Sequence, residues 1–178
     1  EGWTADPAEL DQIGEIGGRT VGLVGFGHSA QILAPVLAAL GATVIYTARN
    51  ERDLPYKFVP LDVLLARADV VSLHIPLTDE TRGSIDPFAM KKGAVLVNVA
   101  RGELVDEARL AQALASGRLR GAGLDVFAAE PLPADHILLA QPNVVLAPHI
   151  AWLTPETLDR SLRVAAENCR RMQMSEPY

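Results

Sequence analysis

Thr20-Val21-Gly22-Leu23-Val24-Gly25-Phe26-Gly27-His28-Ser29-Ala30 decides how the rest of the chain is read. Its first half is a continuous apolar run with β-branched residues, the pattern of a buried strand. Its second half fits G-x-G-x-x-G/A at Gly25, Gly27 and Ala30, straight after that strand. Residues 29–40 then carry Ile32, Leu33, Val36, Leu37 and Leu40, a 3.6-residue apolar stripe, and Gly41 stops the helix. Pro35 lies inside the stripe and should kink the helix or remove one hydrogen bond. In such a strand–turn–helix unit Gly25 allows the tight turn and Gly27 lets a pyrophosphate approach the backbone. Ala30 is small enough for the helix to pack close to the strand. Free N–H groups around His28 and Ser29 would face the phosphates, aided by the helix dipole. The plain alternative is a glycine-rich turn with no ligand. The flanking strand and helix favour a dinucleotide site.

Outward from this unit, short apolar runs alternate with helical patterns. Strands are expected at Thr43-Val44-Ile45-Tyr46-Thr47, Val70-Val71-Ser72-Leu73-His74 and Ala94-Val95-Leu96-Val97-Asn98. Two more follow at Gly121-Ala122-Gly123-Leu124 and Val144-Val145-Leu146-Ala147. Helices are expected over residues 7–13, 61–68 and 107–116, the last capped by Asp106 and stopped by Gly117, and from Pro155 to Met172. Residues 77–84 and 128–141 read as non-helical. This alternation implies an α/β fold, a Rossmann-like doubly wound parallel sheet in three αβα layers, with right-handed crossovers.

Composition sets the bounds. The 178 residues are 49% hydrophobic and 21% charged, enough for a core of one domain. Sixteen Lys and Arg against 22 Asp and Glu leave a net charge of −6, which argues against nucleic acid as a partner. Cys169 stands alone, so no internal disulfide is expected. No apolar stretch approaches the roughly 20 residues of a membrane span. No signal peptide is visible in Glu1-Gly2-Trp3-Thr4, and a cytoplasmic location is expected.

The second strand bears on which dinucleotide is bound. An NAD site wants Asp or Glu at that strand's end, for the ribose 2′-OH. Here the end reads Tyr46-Thr47-Ala48-Arg49-Asn50-Glu51-Arg52. Ala48 takes the acidic position, and Arg49 and Arg52, with Asn50 between them, suit a 2′-phosphate. NADP is therefore the preferred cofactor. NAD stays open, because both arginines could be solvated and Glu51 could still turn towards the ribose.

Three further strands send chemistry to the same edge of the sheet, where open α/β folds bind ligands. Arg101 follows the strand ending at Asn98. Asp125 and Glu130 follow Leu124, and His149 follows Pro148. An anion clamp, carboxylates and a tunable proton donor thus converge. No metal-ligand cluster is expected. These pieces, in order, resemble the cofactor-binding domain of the D-isomer-specific 2-hydroxyacid dehydrogenases. The resemblance rests on residues 25–30, Ser72-Leu73-His74-Ile75-Pro76-Leu77 with Thr81, residues 98–107, residues 123–131 and Pro148-His149-Ile150-Ala151. It covers nearly the whole chain. Tyr46-Thr47-Ala48-Arg49 most resembles the glyoxylate/hydroxypyruvate reductase branch, which favours NADPH.

The resemblance implies an oxidoreductase that transfers a hydride between NAD(P)H and a small 2-keto or 2-hydroxy acid such as glyoxylate or hydroxypyruvate. Arg101 would grip the substrate carboxylate, His149 would be the general acid of reduction, and Glu130 would hold His149 in one tautomer. Asp125 and the backbone at Val99 and Ala100 would position the nicotinamide carboxamide. His74, Pro76 and Thr81 would line the cofactor groove, with His74 structural in its chemistry. A homodimer through the cofactor domains is implied, with the Trp3 segment and the Asp106 helix as contributors. The chain would be one dinucleotide-binding domain over residues 1–178. It would be a fragment lacking the substrate domain, weakly active or inactive alone.

Taken singly, Arg101 could be a surface charge, His149 a loop histidine and Glu130 a turn cap. Their joint occurrence favours a site. His136 reads as a loop residue, Cys169 as inert, and Arg163, Arg170 and Arg171 as a solvated helix face. Trp152 and Leu153 stand where smaller residues are commoner, so an indole beside His149 would shape the substrate pocket. A nucleotide-gated corepressor scaffold of the same fold is the alternative from a different class, and an adenosylhomocysteinase-like enzyme a third. The ordered Arg101, Glu130 and His149 set argues against the last.

Overall fold

A computed structural model describes residues 14–174. Seven strands form one sheet in the order β3-β2-β1-β4-β5-β6-β7, and every neighbouring pair is parallel. They are β1 (Thr20–Val24), β2 (Thr43–Thr47), β3 (Lys57–Phe58), β4 (Val70–Leu73), β5 (Ala94–Asn98), β6 (Leu119–Leu124) and β7 (Val144–Leu146). The helices are α1 (His28–Ala39), α2 (Leu61–Arg67), α3 (Glu107–Ala115) and α4 (Pro155–Met174). Chain order reverses between β1 and β4, which creates the crevice where such sheets bind ligands. The fold is Rossmann-like.

Strand alternation splits the core between the two sheet faces. Val24, Ile45, Val71, Leu73 and Leu96 pack with Leu64 and Leu65 of α2 and with Leu110 and Leu114 of α3. Val21, Leu23, Val44 and Tyr46 pack on the other face with Phe26 and with Ala30 and Ala34 of α1. Gly22 lets the first layer pack closely. A Cβ there would lie 2.5 Å from Leu64 Cδ2 and 2.9 Å from Ala68 Cβ, so α2 rests directly on the β1 backbone. Towards β7 the second face is only partly covered by described residues. Val95 and Val97 are half-buried and Val145 is 74% exposed.

Several local expectations change. Only part of the α1 stripe, Leu33 and Leu37, packs against the core. Ile32, Val36 and Leu40 are exposed, while Ala30 and Ala34 are buried and Leu33 and Leu37 half-buried. The close approach to β1 admits only small side chains, so the alanines form the packing face. The helix runs unbroken through Pro35, which sits on the exposed side. The pairing of Lys57 and Phe58 with Ile45 and Tyr46 was not anticipated, because two residues carry no readable period. Residues 128–141 include a 3₁₀ turn, Ile137–Ala140, and another, Gly102–Leu104, follows Arg101. The helix expected over residues 7–13 lies outside the described residues, as does Trp3.

Candidate active site

The glycine turn after β1 is built from backbone. Gly25 has φ +91°, and a Cβ there would sit 2.6 Å from the His74 carbonyl oxygen. Only glycine fits. Gly25 N–H donates to the Thr47 carbonyl at 2.9 Å and His74 N–H to the Val24 carbonyl at 2.7 Å, so β2, β1 and β4 converge here. Gly27 is the N-cap of α1 and no side chain caps it; a Cβ on Gly27 would meet nothing within 4 Å. The first N–H groups of α1 therefore open into free space. That space is a cavity of 860 Å³, lined by Gly27, His28, Ser29 and Ala30 at one end and by Arg101, Asp125, His149 and Trp152 at the other. His74, Ile75, Pro76, Leu77, Val99 and Ala100 line the stretch between. An uncapped helix N-terminus at one end of a long groove fits a dinucleotide pyrophosphate.

Asn98, buried at the end of β5, aims Arg101. Its Nδ2 donates to the Arg101 carbonyl at 2.8 Å and its Oδ1 accepts the Ala100 N–H at 3.1 Å. The tight turn leaves Arg101 exposed, with Nη1 donating to the Ala100 carbonyl at 2.6 Å. Gly102 lies against the next loop. A Cβ there would come within 2.0 Å of the Phe127 carbonyl carbon, so the Arg101 turn and the Glu130 loop abut backbone to backbone.

Glu130 bridges its own loop and His149. Its Oε1 accepts the Phe127 N–H at 2.9 Å, and its Oε2 lies 2.8 Å from His149 Nδ1. The bond to His149, the Phe127 N–H and the positive charge of Arg101 hold Glu130 below the ordinary carboxylate value. An ionised carboxylate can only accept, so His149 Nδ1 carries the hydrogen, and Nε2 is the ring nitrogen turned away from Glu130. His149 has φ +56°, a left-handed conformation that non-glycine residues rarely adopt. The surroundings impose it. Ile150 N–H and Ala151 N–H donate to the two oxygens of Asp125, each at 2.9 Å, and Trp152 Nε1 donates to the His149 carbonyl at 3.1 Å. Asp125 thus spends both oxygens on the His149 turn, a use its sequence position does not disclose.

The remaining candidates sit as follows. Burial holds His74 below the ordinary imidazole value, and its Nε2 lies 2.9 Å from Ser72 Oγ. Thr81 Oγ1 donates to the Pro76 carbonyl at 2.8 Å and accepts the Thr78 N–H at 2.7 Å, which fastens the loop beside the groove. Arg49, Asn50 and Arg52, with Ala48, line a separate 380 Å³ cavity at the end of β2. A further cavity of 580 Å³, mostly apolar, lies behind Glu130 and His149 and is lined by Phe127, Leu132, Leu139 and Leu146. His136, expected as a plain loop residue, places Nε2 3.2 Å from Glu107 Oε2. Asn98 and Gly102 were not singled out from the sequence. Among the described residues no group of three His, Cys, Asp or Glu could hold a metal ion. No described helix is long and apolar enough to cross a membrane.

Residues 1–151 match the family described as D-isomer specific 2-hydroxyacid dehydrogenase, NAD binding domain. The chain belongs to that family. It is 45% identical over 164 residues to a D-3-phosphoglycerate dehydrogenase of Mycobacterium tuberculosis, across 88% of this chain and 31% of that protein. It is 43% identical over 162 residues to a glyoxylate reductase of Korarchaeum cryptofilum, across 86% of this chain and 49% of that protein. The solved structure of the TT0316 protein from Thermus thermophilus superposes with a TM-score of 0.91 at 46% identity, covering 98% of this chain and 57% of that one. As a 2-hydroxyacid dehydrogenase NAD-binding domain, the chain thus spans between 31% and 57% of these relatives' lengths.

Proposed function

We propose that this chain is the cofactor-binding half of a cytoplasmic 2-keto acid reductase that uses NADPH, with glyoxylate or hydroxypyruvate as substrate class. The observation that carries the reading is the shared cavity. One continuous groove runs from the uncapped α1 N-terminus to Arg101 and His149. The bound nicotinamide would supply the hydride. The chain's own residues would do the rest. Arg101, projecting from the Asn98 turn, binds the substrate carboxylate and draws charge from the 2-keto oxygen. His149 gives its Nε2 proton to that oxygen as the alcohol forms, and Glu130 on Nδ1 stabilises the charge changes on the ring. Trp152 closes the groove beside His149 and limits substrate size.

The preference for NADPH is supported by the absence of an acid at Ala48 and by Arg49 and Arg52 in the adjoining cavity. A homodimer is part of the reading. It is supported by the exposed row of Ile32, Val36 and Leu40 on α1. The relatives' greater length supports a substrate domain outside this chain.

The test is oxidation of NADPH by the longer protein with glyoxylate, hydroxypyruvate and pyruvate, unsubstituted and as His149→Ala. Turnover with at least one keto acid is expected, lost by His149→Ala while cofactor affinity stays within about two-fold. Tight cofactor binding with no turnover on any of the three would overturn the reading.

A further inference from the structure

The loop that leaves β2 is closed by one hydroxyl group. Tyr46 is fully buried, with its ring against Phe26 (centroids 4.4 Å apart) and Phe58 (5.5 Å). A buried phenol needs hydrogen-bond partners, and Tyr46 finds two on a single residue. Its oxygen accepts the Arg52 N–H at 2.8 Å and its O–H donates to the Arg52 carbonyl at 3.2 Å. The chain leaves the strand at Thr47, passes Ala48 and Arg49, and returns to the side chain it has just left. The residues so enclosed are those lining the 380 Å³ cavity.

We infer that Tyr46 is a positioning residue for cofactor choice: its hydroxyl clasps the Ala48–Arg52 loop so that Arg49 and Arg52 meet the 2′-phosphate of NADP. The inference rests on the NADP reading of this loop and adds the reason its arginines can discriminate. A long cation on a loose loop must be ordered at the moment of binding, and that ordering costs affinity. With the clasp closed, the backbone under Arg52 is ordered on folding instead. The rest of the groove does not depend on it. The α1 N-terminus and His74 are fixed by Gly25, Thr47 and Val24 through bonds in which Tyr46 takes no side-chain part. Tyr46 therefore acts on the 2′-phosphate arm and leaves the shared part of the dinucleotide alone.

Tyr46→Phe keeps the ring packing and deletes only the clasp. The chain and this variant would be titrated with NADPH, NADH, 2′,5′-ADP and ADP, with thermal unfolding in parallel. The variant is expected to bind NADPH and 2′,5′-ADP about five-fold more weakly, with NADH and ADP unchanged. An unchanged NADPH-to-NADH ratio overturns the inference, as does an equal loss for both cofactors. An unsubstituted chain that shows no preference for NADPH defeats the 2′-phosphate reading itself, before any variant is made, and the inference falls with it. If Tyr46→Phe does not fold, amide exchange of Arg52 in the unsubstituted chain decides. Slow exchange, slower still with 2′,5′-ADP, supports the clasp; fast exchange overturns it.

Discussion

Glu130 accepts from two donors, and the direction in which pH acts on it follows. Its carboxyl is held below the ordinary value of 4.5, first by His149 and then by the Phe127 N–H. A group depressed in the folded state stabilises the fold above its unfolded value, and that contribution is lost as pH falls through the folded value. Glu130→Gln removes the titration. In urea unfolding the native chain should be the more stable at pH 7, with the gap closing as pH drops below about 4.5. A gap that stays constant from pH 7 down to pH 3 would show that ionisation of Glu130 adds nothing to folding. At this same scale the sequence was legible where chemistry is carried by a side chain's identity. Arg101, Glu130 and His149 could be named as candidates because charge and acidity are properties of the residue. Asn98, Gly102 and the clasp of Tyr46 could not, because each acts through the backbone of a distant or returning segment. Asp125 is intermediate. Its acidity is plain in the sequence, but its partners are N–H groups 25 and 26 residues away.

Elements tell a parallel story through their glycines. Gly22 of β1 lies under α2, where a Cβ would press on Leu64 and Ala68. Gly22→Ala should destabilise the chain by about 1–3 kcal/mol, the usual cost of overpacking a filled core. Gly123 of β6 has nothing within 4 Å of the place a Cβ would take, and Gly123→Ala should change stability by less than about 0.5 kcal/mol. Denaturant midpoints of the two variants check both values, and a Gly22→Ala chain as stable as the native one would contradict the contact. The strands other than β3 were readable because buried parallel strands are continuous apolar runs. The face that α1 presents was not. Periodicity shows that a helix has an apolar stripe, whereas Ala30 and Ala34 win the packed side through their small size at a close approach.

For the whole molecule, stability is unevenly distributed. The sheet and α1 to α3 share two buried clusters, and α4 contributes no buried residue to either. Ion pairs run along its own length. Asp159 binds Arg163, and Glu167 binds Arg170 and Arg171, which push the Glu167 carboxyl down to about 2. Exposed pairs of this kind contribute little each. Hydrogen exchange over Pro155–Met174 should therefore proceed by local opening, orders of magnitude faster than in β1, β4 and β5, and should quicken further at high salt. Equal protection in α4 and the central strands would mean that its exposed side is covered in solution.

The uniform direction of the seven strands has a practical corollary. The candidate residues Arg101, Asp125 and His149 collect at one rim, and the opposite rim includes the turn at Lys92 and Gly93, both exposed. A solid support coupled through Lys92 would hold the chain with its groove pointing outward. The domain is thereby suited to use as an oriented biosensor element for reduced nicotinamide dinucleotides.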